Sequence, residues 1–466
     1  MNLKSPRNLL WVLFGLMVVV ELTPILIFHR VNGIWALNNG EDFDFLFWPP
    51  LNSAFTPSFF FYHVGTISWG FMKVMHLVTR ALTGSPVVTL TYLQTFGFTV
   101  RWTYAILMLS VPTVYYWRRR DPVVTAAVIG MGLALNLATP FIFRMYHLRA
   151  GTQLTNKLLL LITAALFFDS LRSFLNGVPF TRRRIFGCAV FSGILFLEIP
   201  SYILFFLPFV VLSNGDAQGV REVARRCGWW ITGGLTGFLA GLIPFYGADW
   251  ESATAAICSM LRGLVVGFPQ FQPGFREHFM LQLFNYADSY FWIHVALATH
   301  IGVFLFLLAT VAGGWRRLDH RTRFAALALA ASFALTWLAH TRIWATRGSY
   351  TSVFSLTYYG FYSMLAIILL LQHANLHLLA AGGRRTMVRI TAGLAMLAVG
   401  SLVGVTLFWS DLRRFAIAQS ALSQSFVALN QVVESLPKPI SLKLTGLPEA
   451  PFLVPGHYAM AGFIYH

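Results

Sequence analysis

The chain has 466 residues, of which 57% are hydrophobic and only 11% charged, with a mean hydropathy of +0.65. A soluble domain carries about 25% charged residues, so this composition excludes an ordinary water-facing surface and points to an all-α polytopic membrane protein. The formal charge of +17 does not indicate a nucleic-acid partner. The basic residues fall in short clusters between apolar runs: Arg118 to Arg120, Arg182 to Arg184, Arg225 with Arg226, Arg316 with Arg317, and Arg384 with Arg385. Cytoplasmic loops of membrane proteins carry this excess of Lys and Arg. Cys188, Cys227 and Cys258 are too dispersed for a disulfide framework or a metal-ligand motif.

Apolar runs of about 20 residues cross a hydrocarbon core of roughly 30 Å, and lipid leaves their backbone groups no partner outside a helix. The first run, Asn8 to Phe28, follows Lys4 and Arg7. It is long for a signal-peptide core and lacks a small-residue cleavage site, so it reads as a retained span leading outward. An outer loop over 29–95 follows. Its helical segment 59–82 spaces Lys73, His76 and Arg80 by three and four, which predicts one polar stripe on a helix lying in the outer interface. This reading keeps the Arg118 cluster inside without splitting the next apolar stretch around Arg101.

Span 2 is then Phe96 to Trp117, and span 3 Pro122 to Phe143. A short outer loop, Arg144 to Asn156, precedes span 4, Lys157 to Ser173. The stretch Ile185 to Leu212 has basic flanks on both sides. It reads as two short spans with an outer turn at Glu198 to Tyr202, because Pro200 ends a helix and extends the residue before it. Span 7 is Trp229 to Tyr246, and a long outer loop covers 247–289. Tyr290 to Ala312, Phe324 to His340, Ser352 to Leu371 and Ile390 to Trp409 complete about eleven crossings.

Residues 1–409 thus form a transmembrane domain, and 410–466 a small extracytoplasmic segment. In that segment Phe415, Leu422, Phe426, Leu429, Val433 and Leu436 make a helical apolar stripe that Pro437 and Pro439 end. Strand-like alternation follows at Ser441 to Leu444.

Three clusters share the outer side. Glu41, Asp42 and Asp44 sit in an apolar and aromatic loop. Close carboxylates in a partly dry site hold their pKa values apart and can act as a general base; the competing reading is a solvated loop with helix-capping acids. Arg144, His147, Arg149 and Lys157 are basic on the side where basic residues are disfavoured. They call for a phosphate or diphosphate, or else pair with the acids of the first cluster or with headgroups. His340, Arg342 and Arg347 form the third cluster. Glu198, at the broken turn, lies near membrane level, where an unused carboxylate is costly. Glu21, in the outer half of span 1, reads as a structural hydrogen-bonding group.

The Glu41-Asp42 pair in the first outer loop, the interfacial helix and the many spans after it resemble the GT-C class of polyprenyl-phosphate-sugar-dependent glycosyltransferases. The resemblance implies that Asp42 or Glu41, with Asp44 as a further candidate, is the catalytic base. It also implies that Arg144, Arg149, Arg342 or Arg347 hold the lipid phosphate. The partners would be a polyprenyl-phosphate-linked sugar, a glycan or lipid acceptor, and the bilayer. A divalent cation would find hard oxygen ligands in the carboxylates, but nothing in the sequence demands one.

Two other classes stay open. A polymerase or ligase of lipid-linked glycans would use outer arginines and histidines without an acidic pair. A transporter or flippase would favour internal repeats and ionisable groups at the bilayer midplane. The excess of Arg over Lys suggests a GC-rich bacterial genome, hence an inner membrane with the site facing the periplasm.

Overall fold

The computed structural model describes residues 6–30, 66–84, 89–137, 151–198, 206–246, 315–317 and 319–328, together with scattered positions between 424 and 443 and residues 462–465. The described chain is predominantly α-helical. The long elements are α1 (Pro6–Arg30), α2 (Thr66–Thr83), α3 (Leu90–Arg119), α4 (Pro122–Leu137), α5 (Gly151–Leu175), α6 (Arg182–Glu198), α7 (Leu207–Asn214) and α8 (Val220–Tyr246).

Local chemistry sets several of these boundaries. Thr89 caps α3 by accepting the Tyr92 N–H at 3.1 Å, and Asp121 caps α4 by accepting the N–H groups of Val123 and Val124 at 2.9 and 3.2 Å. Pro122 follows as the first residue of α4, where its missing N–H costs nothing. Between the two helices Arg120 turns the chain with φ 55°. Pro112 lies inside α3 without ending it. Such prolines are tolerated where neighbouring helices take up the freed backbone groups.

Side-chain rungs fix how the helices run. Arg172 near the end of α5 meets Asp121 at the start of α4 at 3.3 Å. Midway, a methyl on Gly132 of α4 would meet Met17 of α1 and Leu161 of α5. Farther along, Lys157 of α5 reaches Glu21 of α1 at 2.9 Å. So α1 and α4 run opposite to α5. Parallel to α5 runs α3, since Tyr104 bonds Thr155 and Tyr115 donates to Asp169 at 2.8 Å.

The pair α6 and α8 is the closest contact in the described chain. Methyl groups on Gly193, Gly233 or Gly237 would overlap the facing helix, at the Gly234 carbonyl, Ala189 and the Val190 carbonyl respectively. Gly233 and Gly237, four apart on one face of α8, let two backbones touch in the way small-xxx-small motifs do within lipid. On its opposite face α8 exposes Ile231, Leu235 and Leu239, again four apart.

Within these residues one helical stretch, Lys157–Leu175, is long and apolar enough to cross a membrane by length and composition, and Leu10–Thr23 and Pro122–Leu133 are shorter apolar stretches. Exposed large apolar side chains run along the outside of the bundle, including Trp11, Leu26, Ile106 and Trp117. Near the C-terminus β1 (Ile440–Lys443) pairs antiparallel with β2 (Gly462–Tyr465), with Ile440 opposite Tyr465.

Three boundaries differ from the sequence reading. Helix α5 begins at Gly151, so residues 151–156 of the expected outer loop are helical. Helix α8 begins nine residues before the expected span, because a polar first stretch, Val220 to Gly228, continues the same helix. Helix α3 begins at Leu90, six residues before the expected span, and runs unbroken through Arg101 as expected; Arg101 is buried and donates to the Gly97 carbonyl at 3.0 Å.

Candidate functional site

The bundle has two chemically different ends. One collects arginines. Asp169 of α5 accepts from Arg184 at the start of α6 at 2.5 Å, from Arg119 at the end of α3 at 3.5 Å, and from Tyr115. Arg226 of α8 is buried and donates to Asp216 at 2.5 Å, to Glu222 at 2.6 Å and to the Ser213 carbonyl. The Gln218 N–H and the Arg226 guanidinium hold the Glu222 carboxyl below the usual carboxylate range. The segment 315–328 joins the same end: Phe324 packs on Phe174 with ring centroids 5.6 Å apart, and Arg321 lies against Gly177. Four of the basic clusters read from the sequence therefore meet at one end, and Arg384 and Arg385 lie outside the described residues.

The far end is drier. Glu21 and Lys157 are both buried, with side chains 4% and 2% exposed, and the ammonium contacts both carboxylate oxygens at 2.9 and 3.2 Å. Either charge alone in such a place would carry a desolvation penalty of several kcal/mol. Two residues away on α5, Thr155 bonds the Tyr104 hydroxyl. Phe71 of α2 lies 4.5 Å from the Tyr104 ring, and His76 of α2 bonds Tyr92 in the first turn of α3. Burial raises the Tyr92 phenol above its ordinary pKa, with Arg80 opposing. Helix α2 thus lies across the end remote from the arginines.

Within α2 the expected polar stripe divides. His76 faces the interior beside Met72 and Thr79, Arg80 is exposed, and Val74, Leu77 and Leu82 are exposed with it. The Tyr92 hydroxyl explains the difference, because it offers His76 a partner that spacing along α2 alone does not reveal.

Most of the candidate residues fall elsewhere. Glu41, Asp42, Asp44, Arg144, His147, Arg149, His340, Arg342 and Arg347 lie outside the described residues, as do the long loop 247–289 and Cys258. Glu198 is the last residue of α6, and its side chain is likewise outside the description. The structure removes Lys157 from the basic loop cluster, because the sixth residue after Gly151 is already deep in a helix and is neutralised by Glu21. Glu21, read as a hydrogen-bonding group, is one half of an ion pair. Sequence reasoning missed this pairing and the Asp169 and Arg226 hubs, although a carboxylate inside an apolar run is a signal that a partner exists.

Cys188 and Cys227 are free thiols. Among the described residues no three His, Cys, Asp or Glu side chains converge to hold a metal ion. No family model matches the chain, and neither a curated protein nor a solved structure matches it.

Proposed function

We propose that the chain is an integral membrane glycosyltransferase of the GT-C kind, spanning the bilayer about eleven times and taking its sugar from a polyprenyl-phosphate donor on the extracytoplasmic face. The observation that carries this reading is the separation of charge between the two ends of the bundle. The arginine clusters meet at one end, as cytoplasmic loops do. The segments bearing Glu41 to Asp44 and Arg144 to Arg149 leave and rejoin the described chain at the other, after Arg30 and between Leu137 and Gly151. The exposed apolar flanks of α1, α3 and α8 and the glycine contact of α6 with α8 favour a lipid environment.

In this mechanism Asp42 or Glu41, with Asp44 beside them, takes the proton of an acceptor hydroxyl. The freed oxygen attacks the anomeric carbon, and the bond to the lipid phosphate breaks with its electron pair leaving on the phosphate. Arg144, Arg149, Arg342 and Arg347 stabilise that charge, while His147, Glu198 and His340 line the substrate region. Nothing in the sequence demands a divalent ion for this step, although the carboxylates offer hard oxygen ligands to one. The acceptor is a glycan or lipid at the outer surface of a bacterial inner membrane.

The test is transfer from a panel of polyprenyl-phosphate sugars by the purified protein, alongside Asp42→Asn and Glu41→Gln. General-base removal should lower turnover by about 10²–10⁴-fold with donor binding retained. Turnover unchanged in both variants would remove the assigned base. Binding of lipid-linked glycans without transfer of any sugar would favour a polymerase, ligase or flippase instead.

A further inference from the structure

The arginine end holds more cations than its carboxylates can use. Asp169 is shared by Arg184 and Arg119, Asp121 is engaged by Arg172, and Asp216 and Glu222 close on Arg226. Arg118, Arg120, Arg182 and Arg183 are exposed, and no described carboxylate pairs with them.

Their positions make one patch. Asp169 binds both the last turn of α3 and the first turn of α6, which brings Arg118 and Arg120 towards Arg182 and Arg183. The charges on α6 are also misplaced for their own helix. Three arginines fill its first turn with no acid among them, where the helix macrodipole disfavours cations. Asp169 relieves Arg184 only. Arg120 keeps a left-handed φ of 55° at the end of α3, a conformation that glycine adopts without strain. Trp117, 68% exposed, and Val178, 51% exposed, present apolar surface beside this patch, and an aromatic next to arginines suits the headgroup level of a bilayer.

We infer that Arg118, Arg120, Arg182 and Arg183 form a binding face for the phosphates of anionic phospholipids in the leaflet at this end. This rests on the bundle spanning a membrane. It adds a lipid partner on the side away from the proposed transfer site. Guanidinium groups take phosphate oxygens in pairs, and each arginine near an anionic surface contributes about fivefold in affinity.

The experiment places the full-length protein in nanodiscs of phosphatidylcholine with increasing phosphatidylglycerol and follows its thermal unfolding midpoint. The midpoint should rise with the anionic lipid. The concentration giving half of that rise should increase roughly fivefold for each arginine replaced in Arg182→Gln/Arg183→Gln and in Arg118→Gln/Arg120→Gln, and by less in Arg221→Gln, exposed in the first turn of α8. Inorganic phosphate added to neutral nanodiscs should not raise the midpoint.

A wild-type midpoint indifferent to phosphatidylglycerol overturns the proposal. So does a dependence that survives both double variants, or one that phosphate reproduces. A protein that enters neither kind of nanodisc fails the membrane reading itself, which separates that failure from a failure of the lipid face.

Discussion

The two ends of the bundle solve opposite electrostatic problems. At the arginine end, carboxylates are few, partly solvated and shared, so that Asp169 serves two guanidinium groups and a phenol. At the far end one carboxylate meets one ammonium in a site almost closed to water. About 18 Å of helix separates Lys157 from Asp169 at 1.5 Å per residue. Where water is present, a charge tolerates an imperfect partner. Where it is absent, a charge depends far more on the counter-ion held against it.

The sharpest way to break this contrast is at the dry end. Lys157→Met leaves the Glu21 carboxylate buried without the ammonium held against it, and should lower stability by about 3–5 kcal/mol, read from denaturant unfolding in detergent. Glu21→Leu combined with Lys157→Met removes both charges and should recover most of that loss. A double variant no better than the single one would show that the pair is not self-contained.

Asp169→Asn at the wet end should cost less, about 1–2 kcal/mol. The cost should shrink as salt rises, because the partly exposed pairs with Arg184 and Arg119 are already screened. Unfolding of wild type and variant compared at low and high ionic strength measures it, and a salt-independent penalty would mean that the site is drier than its exposure implies.

The smallest effect belongs to Glu222. Its carboxyl is held below the ordinary range by the Gln218 N–H and Arg226. The resulting stabilisation is fully present above the usual carboxylate pKa of about 4.3 and is lost as pH falls through the lowered folded value. Wild type should therefore exceed Glu222→Gln near neutrality, and the gap should close in acid. A gap constant with pH would remove the ionic explanation.

Much of the helical layout was legible from composition and punctuation alone. The apolar run Asn8 to Phe28 appears as α1, while the turn expected at Glu198 to Tyr202 lies, beyond Glu198 itself, outside the described residues. The Pro122 boundary follows from Asp121 and proline chemistry, and Ser441 to Lys443 of the strand-like stretch lie on β1. These features depend on neighbours a few residues away, so the sequence displays them directly. The acidic pair Glu41 and Asp42, proposed as catalytic from the resemblance, lies outside the described residues.

What local pattern could not supply was partnership. Lys157 looks like a member of a basic loop until Glu21, 136 residues away, is brought against it. His76 looks like part of a polar stripe until Tyr92 turns it inward. The sequence by itself determined the helical class and the clustering of arginines between apolar runs, because composition and short-range periodicity dictate both. Only the tertiary structure decided which charges neutralise each other and which stay exposed, because desolvation and Coulomb attraction act through space and the order of residues does not record those distances.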